Sequence, residues 1–275
     1  MNILDKIIEY KRSEVESARA AQPMAVLEKS PFFARKTLSL KTFLTDPQKT
    51  GIIAEFKRRS PSKGVINDQV KVQDVTRGYT AAGASCLSVL TDQHFFGGSP
   101  EDLRQARINN IPILRKDFMI DEYQILEAKS MGADVILLIA ACLSPAEVKQ
   151  LAAFAKSLEL EVLLEIHNED ELAHICEETE LVGVNNRDLK TFTVDVDRSI
   201  RLSEKIPAGK LTIAESGISQ VATILYLKKA GFSGFLIGEN FMKEKDPGAA
   251  FGKFVQELKD AAVSDERMMK DGTNK

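Results

Sequence analysis

The chain has 275 residues, 44% apolar and 28% charged, with a formal net charge of −3. That is an ordinary globular mixture, and it excludes a global field for nucleic acid or an anionic membrane. The length allows one or two domains, and a single α/β barrel routinely reaches it.

Residues 1–50 read as helical around 2–20 and 24–29. Leu4, Ile7, Ile8 and Val15 form an imperfect apolar stripe that needs a surface to cover. The segment is charged and lacks the apolar core of a signal peptide. No stretch approaches the roughly 20 apolar residues of a membrane span, so a cytoplasmic protein is expected. Cys86, Cys142 and Cys176 are too scattered for a disulfide framework or a CxxC metal site. Cys86 and Cys142 lie in or beside apolar runs and read as small buried hydrophobes in a reducing compartment.

From residue 51 the sequence alternates short apolar runs with helical patterns. The runs are 51–56, 84–90, 111–115, 133–140, 160–166, 181–184, 211–215 and 234–238. They are nearly continuous, as strands covered on both faces must be. Between them, SPEDLRQARIN and SPAEVKQLAAFAKSL open on Ser-Pro helix starts, and AAGAS, SMGAD and KAGFS place glycine as a C-terminal cap. Eight such βα units predict a (β/α)8 TIM barrel with an N-terminal helical extension; a doubly wound open sheet is the alternative. The expected organisation is one domain over 1–275, with extension 1–50, barrel 51–262 and a polar, frayed tail 263–275.

Side chains alternate along a strand. Ile53, Glu55 and Lys57 therefore share a face on the first run, Leu114 and Lys116 on the third, Leu163 and Glu165 on the fifth, and Ile213 and Glu215 on the seventh. If that face is the interior, two lysines and three glutamates converge on the C-terminal mouth. Desolvating so many charges costs several kcal/mol per ion unless they are paired, which points to function rather than stability. Asn185 follows the sixth run, and Arg187 is within reach of Glu215, Asn185 or a ligand anion; the same Asn-Asn-Arg-Asp string is also plain turn chemistry.

The seventh run leads into ESGIS and the eighth into IGEN. Glycine-containing turns at these two positions of a barrel suit a phosphate, with backbone N–H groups of Ser216, Gly217, Gly238 and Glu239 as donors. The loop KRRSPSKG after the first run is read as a polar flap, with Ser60 placed to contact the phosphate. As a nucleic-acid patch it is too short and lacks aromatic partners.

IIAEFKRRSPSKG, SVLTDQHFFGGSPEDL, PILRKDFMIDEYQILEAKSMGADVILLIAACL, LLEIHNEDEL, VGVNNRDL, IAESGIS and FLIGENFM together resemble, in that order, the motifs of indole-3-glycerol phosphate synthase. The resemblance covers about 51 to 243, and the N-terminal extension is similar too. It implies 1-(2-carboxyphenylamino)-1-deoxyribulose 5-phosphate as substrate, indole-3-glycerol phosphate, carbon dioxide and water as products, and no metal or organic cofactor. It implies Lys116 as general acid, Glu165 as its partner, Lys57 and Glu55 in the dehydration, and Asn185 on a substrate hydroxyl or carboxylate. Ser216 and Glu215 would lie beside the phosphate, with Phe95, Phe96 and Phe118 lining the slot for the aromatic ring. A lysine acid is expected to have its pKa lowered by burial beside another cation.

Two rivals remain at this level. Another phosphate-binding barrel, such as phosphoribosylanthranilate isomerase, would need a cysteine and an aspartate at the mouth, where only Cys142 is placed to serve. A non-catalytic barrel binding a phosphometabolite would need the grip but not the acids and bases. His94, His167 and His174 show no metal spacing. The expected partner is a small phosphorylated molecule, without nucleic acid or membrane, and the chain is expected as a monomer or weak homo-oligomer.

Overall fold

The structure is a computed structural model that describes residues 3–188 and 193–272. Eight parallel strands close into a barrel: β1 (Ile52–Phe56), β2 (Cys86–Leu90), β3 (Ile113–Lys116), β4 (Val135–Ile139), β5 (Glu161–Ile166), β6 (Leu181–Asn185), β7 (Leu211–Glu215) and β8 (Gly234–Ile237). Each strand pairs with its neighbour in sequence, and β8 returns to β1 with Phe235 opposite Ile52. Every apolar run is a strand, shifted by a residue or two at its ends.

The two faces of each strand explain why the runs show no polar alternation. Ile53, Leu114, Leu163 and Ile213 fill the barrel interior with Cys86, Leu137, Leu181 and Leu236. Their neighbours Ile52, Ala54, Ile113, Leu164 and Ala214 face outward and are buried by helices. Helices α4 (Val72–Ala81), α5 (Pro100–Ala106), α6 (Glu122–Met131), α7 (Pro145–Ser157), α8 (Val196–Ser203), α9 (Val221–Lys229), α10 (Glu239–Met242) and α11 (Pro247–Gly272) follow in order. Both Ser-Pro starts are caps: Ser99 accepts from the Asp102 N–H, and Ser144 forms a reciprocal box with Glu147.

The structure corrects two expectations. Among the described residues, a 3-10 helix (Glu169–His174) takes the place of an α-helix between β5 and β6. The connection is short, and its polar groups bond locally: Glu171 accepts from the His167 N–H at 2.7 Å and from Asn168 Nδ2 at 2.9 Å. At the other end α11 runs to Gly272 through the segment read as frayed. No glycine or proline interrupts residues 253–271, so nothing in the backbone stops the helix; residues 273–275 lie outside the described residues. No helix among those described is long and apolar enough to cross a membrane.

The extension wraps the barrel from mouth to floor as α1 (Ile3–Ala21), α2 (Met24–Leu27) and α3 (Leu40–Thr45). Leu40 and Leu44 of α3 join the interior cluster from below, while Ser39 Oγ and the Leu40 N–H donate to Glu161 at 2.5 and 2.7 Å. On α1 the buried positions are Ile7, Lys11 and Val15, so a lysine completes the expected stripe. Lys11 is fully buried, its Nζ 2.9 Å from both Asp92 and Asp117 in the loops after β2 and β3. Lys11→Met is expected to leave the buried Asp92 carboxylate without its cation and Asp117 with Arg115 alone. A loss of about 3–5 kcal/mol should appear in urea denaturation; an unchanged midpoint would remove the clasp from the stability of the fold.

Candidate active site

The charges at the ends of the odd strands meet inside the mouth. Lys116 Nζ donates to Glu165 Oε2 and to Glu215 Oε2, each at 2.9 Å. Lys57 Nζ donates to Glu55 Oε1 at 2.7 Å. Asn185 Nδ2 donates to the other Glu165 oxygen at 2.8 Å, and its Oδ1 accepts the Arg187 N–H at 3.0 Å. Glu55, Glu165 and Glu215 are buried, while Lys57 and Lys116 keep side-chain exposures of 18% and 16%. The lysines thus close the cluster on the side open to a ligand.

The electrostatics correct one expectation. Burial alone would lower the Lys116 ammonium's pKa, but Glu165, Glu215 and Glu55 outweigh it and hold the pKa above its ordinary value. Lys57, the expected second cation, is paired with Glu55. Burial pushes the Glu165 carboxyl up, yet Lys116, His167 and Asn185 prevail and hold it well below the usual range. Glu215 goes the other way, to about 7: burial and the repulsion of Glu165 and Glu55 exceed the attraction of Lys116. One carboxylate is locked as an anion and its neighbour titrates near neutrality. That is how adjacent carboxyls come to hold different protonation states.

Room for these carboxylates comes from glycines on β6 and just past the end of β8. A Cβ at Gly183 on β6 would overlap Glu215 Oε1, and one at Gly238 would sit 2.5 Å from Glu55 Oε1. Gly238, expected to admit a phosphate, is therefore also the seat of Glu55. It caps α10, which places the Glu239 N–H in a first turn where amides lack intrahelical partners. On β7's exit Ser216 and Gly217 take left-handed φ of 68° and 70°. The conformation is strained for serine, and it turns the chain sharply outward.

The remaining predicted residues divide. Arg187 reaches neither Glu215 nor Asn185 with its guanidinium, which instead lies 4.0 Å from Glu239 Oε2. The flap is a hairpin pairing Arg59–Ser60 with Gly64–Val65. Its Lys63 reaches Glu239 at 3.6 Å, whereas Ser60 Oγ accepts the Lys63 N–H within the hairpin at 3.3 Å. Arg58 is structural, forked onto Asp102 at 2.5 and 2.7 Å. Phe96 and Phe118 face each other at 6.0 Å; Phe95 packs edge-on against Tyr10 of α1 instead.

Sequence reasoning missed three contributors. Lys11 ties the two phenylalanine loops together, since Asp92 accepts the Phe96 N–H at 3.2 Å and Asp117 the Phe118 N–H at 2.8 Å. Asn186, fully buried, donates to the Ser216 carbonyl at 2.8 Å and joins the loops after β6 and β7. His167 lies 3.1 Å from Glu165 Oε1; Glu-x-His on a strand was the available signal. Cys142, the residue the isomerase alternative needs, has its thiol pushed up to about 12 by burial and by Glu165 and Glu171, so it is no base. Among the described residues no group of three or more His, Cys, Asp or Glu is placed to hold a metal ion.

A closed barrel with ion-paired lysines and carboxylates inside its mouth defines a (β/α)8-barrel enzyme of the acid–base type. The sequence profile of indole-3-glycerol phosphate synthase matches residues 4–254. The indole-3-glycerol phosphate synthase of Bacteroides thetaiotaomicron is 46% identical over 258 residues, 94% of this chain and 99% of that protein. That of Polaromonas sp. strain JS666 is 46% identical over 257 residues, 92% and 97% respectively. Among solved structures, a tryptophan synthase α-subunit of Pyrococcus furiosus superposes with a TM-score of 0.58 at 16% identity, covering 76% of this chain and 98% of that one; this likeness concerns the fold. The chain belongs to the indole-3-glycerol phosphate synthase family.

Gly183→Ala should displace the Glu215 carboxylate and lower kcat about 10- to 100-fold with circular dichroism unchanged. A wild-type kcat would show that the close approach of β6 to Glu215 has no bearing on turnover.

Proposed function

We propose that this site converts 1-(2-carboxyphenylamino)-1-deoxyribulose 5-phosphate to indole-3-glycerol phosphate, carbon dioxide and water. The observation that carries the reading is the presence of two lysine–carboxylate pairs, Lys116 with Glu165 and Glu215 and Lys57 with Glu55, at one mouth. The reaction needs two proton-transfer stages, ring closure and dehydration, and each pair serves one.

In the first stage Lys116 protonates the sugar carbonyl oxygen while the aryl carbon bearing the carboxylate attacks the carbonyl carbon. An ammonium held above its ordinary pKa is fully loaded at neutral pH. It becomes an acid when a cation grows beside it, and the forming iminium supplies that cation, since like charge favours deprotonation. Glu165, locked as an anion, stabilises the iminium; electrostatics already in place need no reorganisation as charge develops. Loss of the carboxylate as carbon dioxide then restores the aromatic ring. In the second stage Lys57 protonates the departing hydroxyl and Glu55 takes the proton that completes the indole. Asn185 holds a substrate hydroxyl or the carboxylate, and Glu215 and Ser216 lie beside the phosphate.

The phosphate is taken by backbone N–H groups of Ser216, Gly217, Gly238 and Glu239, with Ser60 and Arg187 at its edge. Phe96 and Phe118 line the slot for the anthranilate ring. The setting is cytoplasmic, which suits three unpaired thiols, and the working unit is a monomer or weak homo-oligomer.

The test is a product assay. The chain has no tryptophan, so indole fluorescence rises against a tyrosine background alone. Wild-type protein should generate that signal from substrate. Lys116→Ala should lose about 10²–10⁴-fold in turnover yet still bind substrate in a phosphate-dependent way. Undiminished turnover would take the general-acid role from Lys116, and binding without product by the wild-type protein would reverse the reading.

A further inference from the structure

His167 takes no part in the proton transfers assigned above, yet it stands within ion-pair distance of Glu165. It is 7% exposed and stands two residues beyond Glu165, just past the end of β5. Its Nε2 is 3.1 Å from Glu165 Oε1, and its Nδ1 is 3.3 Å from Glu171 Oε2 in the 3-10 helix. Glu171 is itself fixed, accepting the His167 N–H at 2.7 Å and Asn168 Nδ2 at 2.9 Å. Each ring nitrogen thus stands within ion-pair distance of a carboxylate, a setting that favours the doubly protonated cation.

We infer that His167 is a positioning residue for the reaction proposed above: held as an imidazolium by Glu171, it keeps Glu165 oriented and ionised at the moment Lys116 gives up its proton. The inference rests on that functional reading. Lys116 is the principal cation beside Glu165, and the chemistry neutralises it. Until the iminium charge is fully developed, Glu165 is a buried anion beside Glu215 that has lost its principal cation, and such a group tends to take up a proton itself. That would cancel the negative charge the iminium requires. A second cation on the far oxygen, one that takes no part in proton transfer, prevents this.

The charged and titratable surroundings agree. Glu165 faces the ring from its own strand and Glu171 from the 3-10 helix; Cys142 approaches both carboxylates from the turn after β4, with its thiol pushed up and neutral. Lys116 stands on the opposite side of Glu165. His174 is turned away, engaging the carbonyls of Glu171 and Leu143 at 3.1 and 2.9 Å. Burial would lower the imidazole's pKa, but the two glutamates outweigh it and push it up to about 10. The cation therefore persists through the physiological range.

The experiment compares pH profiles of wild type and His167→Gln, which keeps one donor and removes the charge. Without the cation the Glu165 pKa rises, so the acidic limb of kcat/KM should move up by about one pH unit or more. The kcat deficit should be largest at the acidic end of the profile and shrink toward pH 9, with KM nearly unchanged. A purely structural role would lower activity evenly across pH. A profile superimposable on that of the wild type overturns the inference, as does an even loss. Nitrogen-15 NMR of histidine-labelled wild-type protein gives an arm that needs no variant activity. His167, the resonance missing in His167→Gln or displaced in Glu171→Gln, should remain doubly protonated at pH 8, and titration near 6.5 would overturn the inference. An inactive wild-type protein would instead sink the functional reading, which separates the two failures.

Discussion

The clamp of Lys116 between Glu165 and Glu215 is the constraint on which the rest of the structure depends. Charges removed from water are tolerated only when each finds a partner in good geometry, and here the partners come from β3, β5 and β7. That demand fixes the stagger of the strands, because a slip of one residue on any of them would turn its charge outward into the apolar layer under the helices. It also fixes what stands between them. Gly183 and Gly238 lack side chains where carboxylates must lie, so the even strands give up volume for the odd strands' chemistry.

The clamp also sets the site's resting electrostatics. The site holds a loaded acid, a locked anion and, in Glu215, a carboxyl that titrates near neutrality. Only Glu215 departs from the protonation its residue type shows in water. Glu165 and Glu215 have the same side chain and the same lysine, and they diverge because Glu165 has His167 and Asn185 on its other oxygen, whereas Glu215 Oε1 has no hydrogen-bond partner among the described residues. Division of labour between like groups comes from what touches the second oxygen.

Support for the mouth arrives from distant sequence. Lys11 crosses from the extension to Asp92 and Asp117, whose carboxylates also accept the backbone N–H groups of Phe96 and Phe118. The aromatic pair is thus held by the same ions that dock α1. An extension that seemed to need only a surface to cover contributes to the geometry of the slot, while α3 closes the opposite end of the interior. Positioning by locked second-layer contacts is what gives a site its precision.

The sequence alone determined the eight strands, their order and the inward face of the odd ones, because a buried parallel strand must be apolar on both sides and any charge on it stands out. It also determined both Ser-Pro caps, since capping is local chemistry. What it did not contain was which individual atoms of different strands come into contact. The direction of the Lys116 shift is of this kind, since a lysine's pKa follows the carboxylates folded against it rather than the lysines near it in sequence. So are the roles of Gly183 and Gly238, whose absent side chains matter only beside Glu215 and Glu55, and the burial of Lys11, which reads as a surface residue on an isolated helix. The 3-10 turn after β5 was settled by hydrogen bonds that Glu171 makes once His167 and Asn168 are fixed by the barrel. Local pattern sets which elements form; only closure of the barrel decides which charges meet.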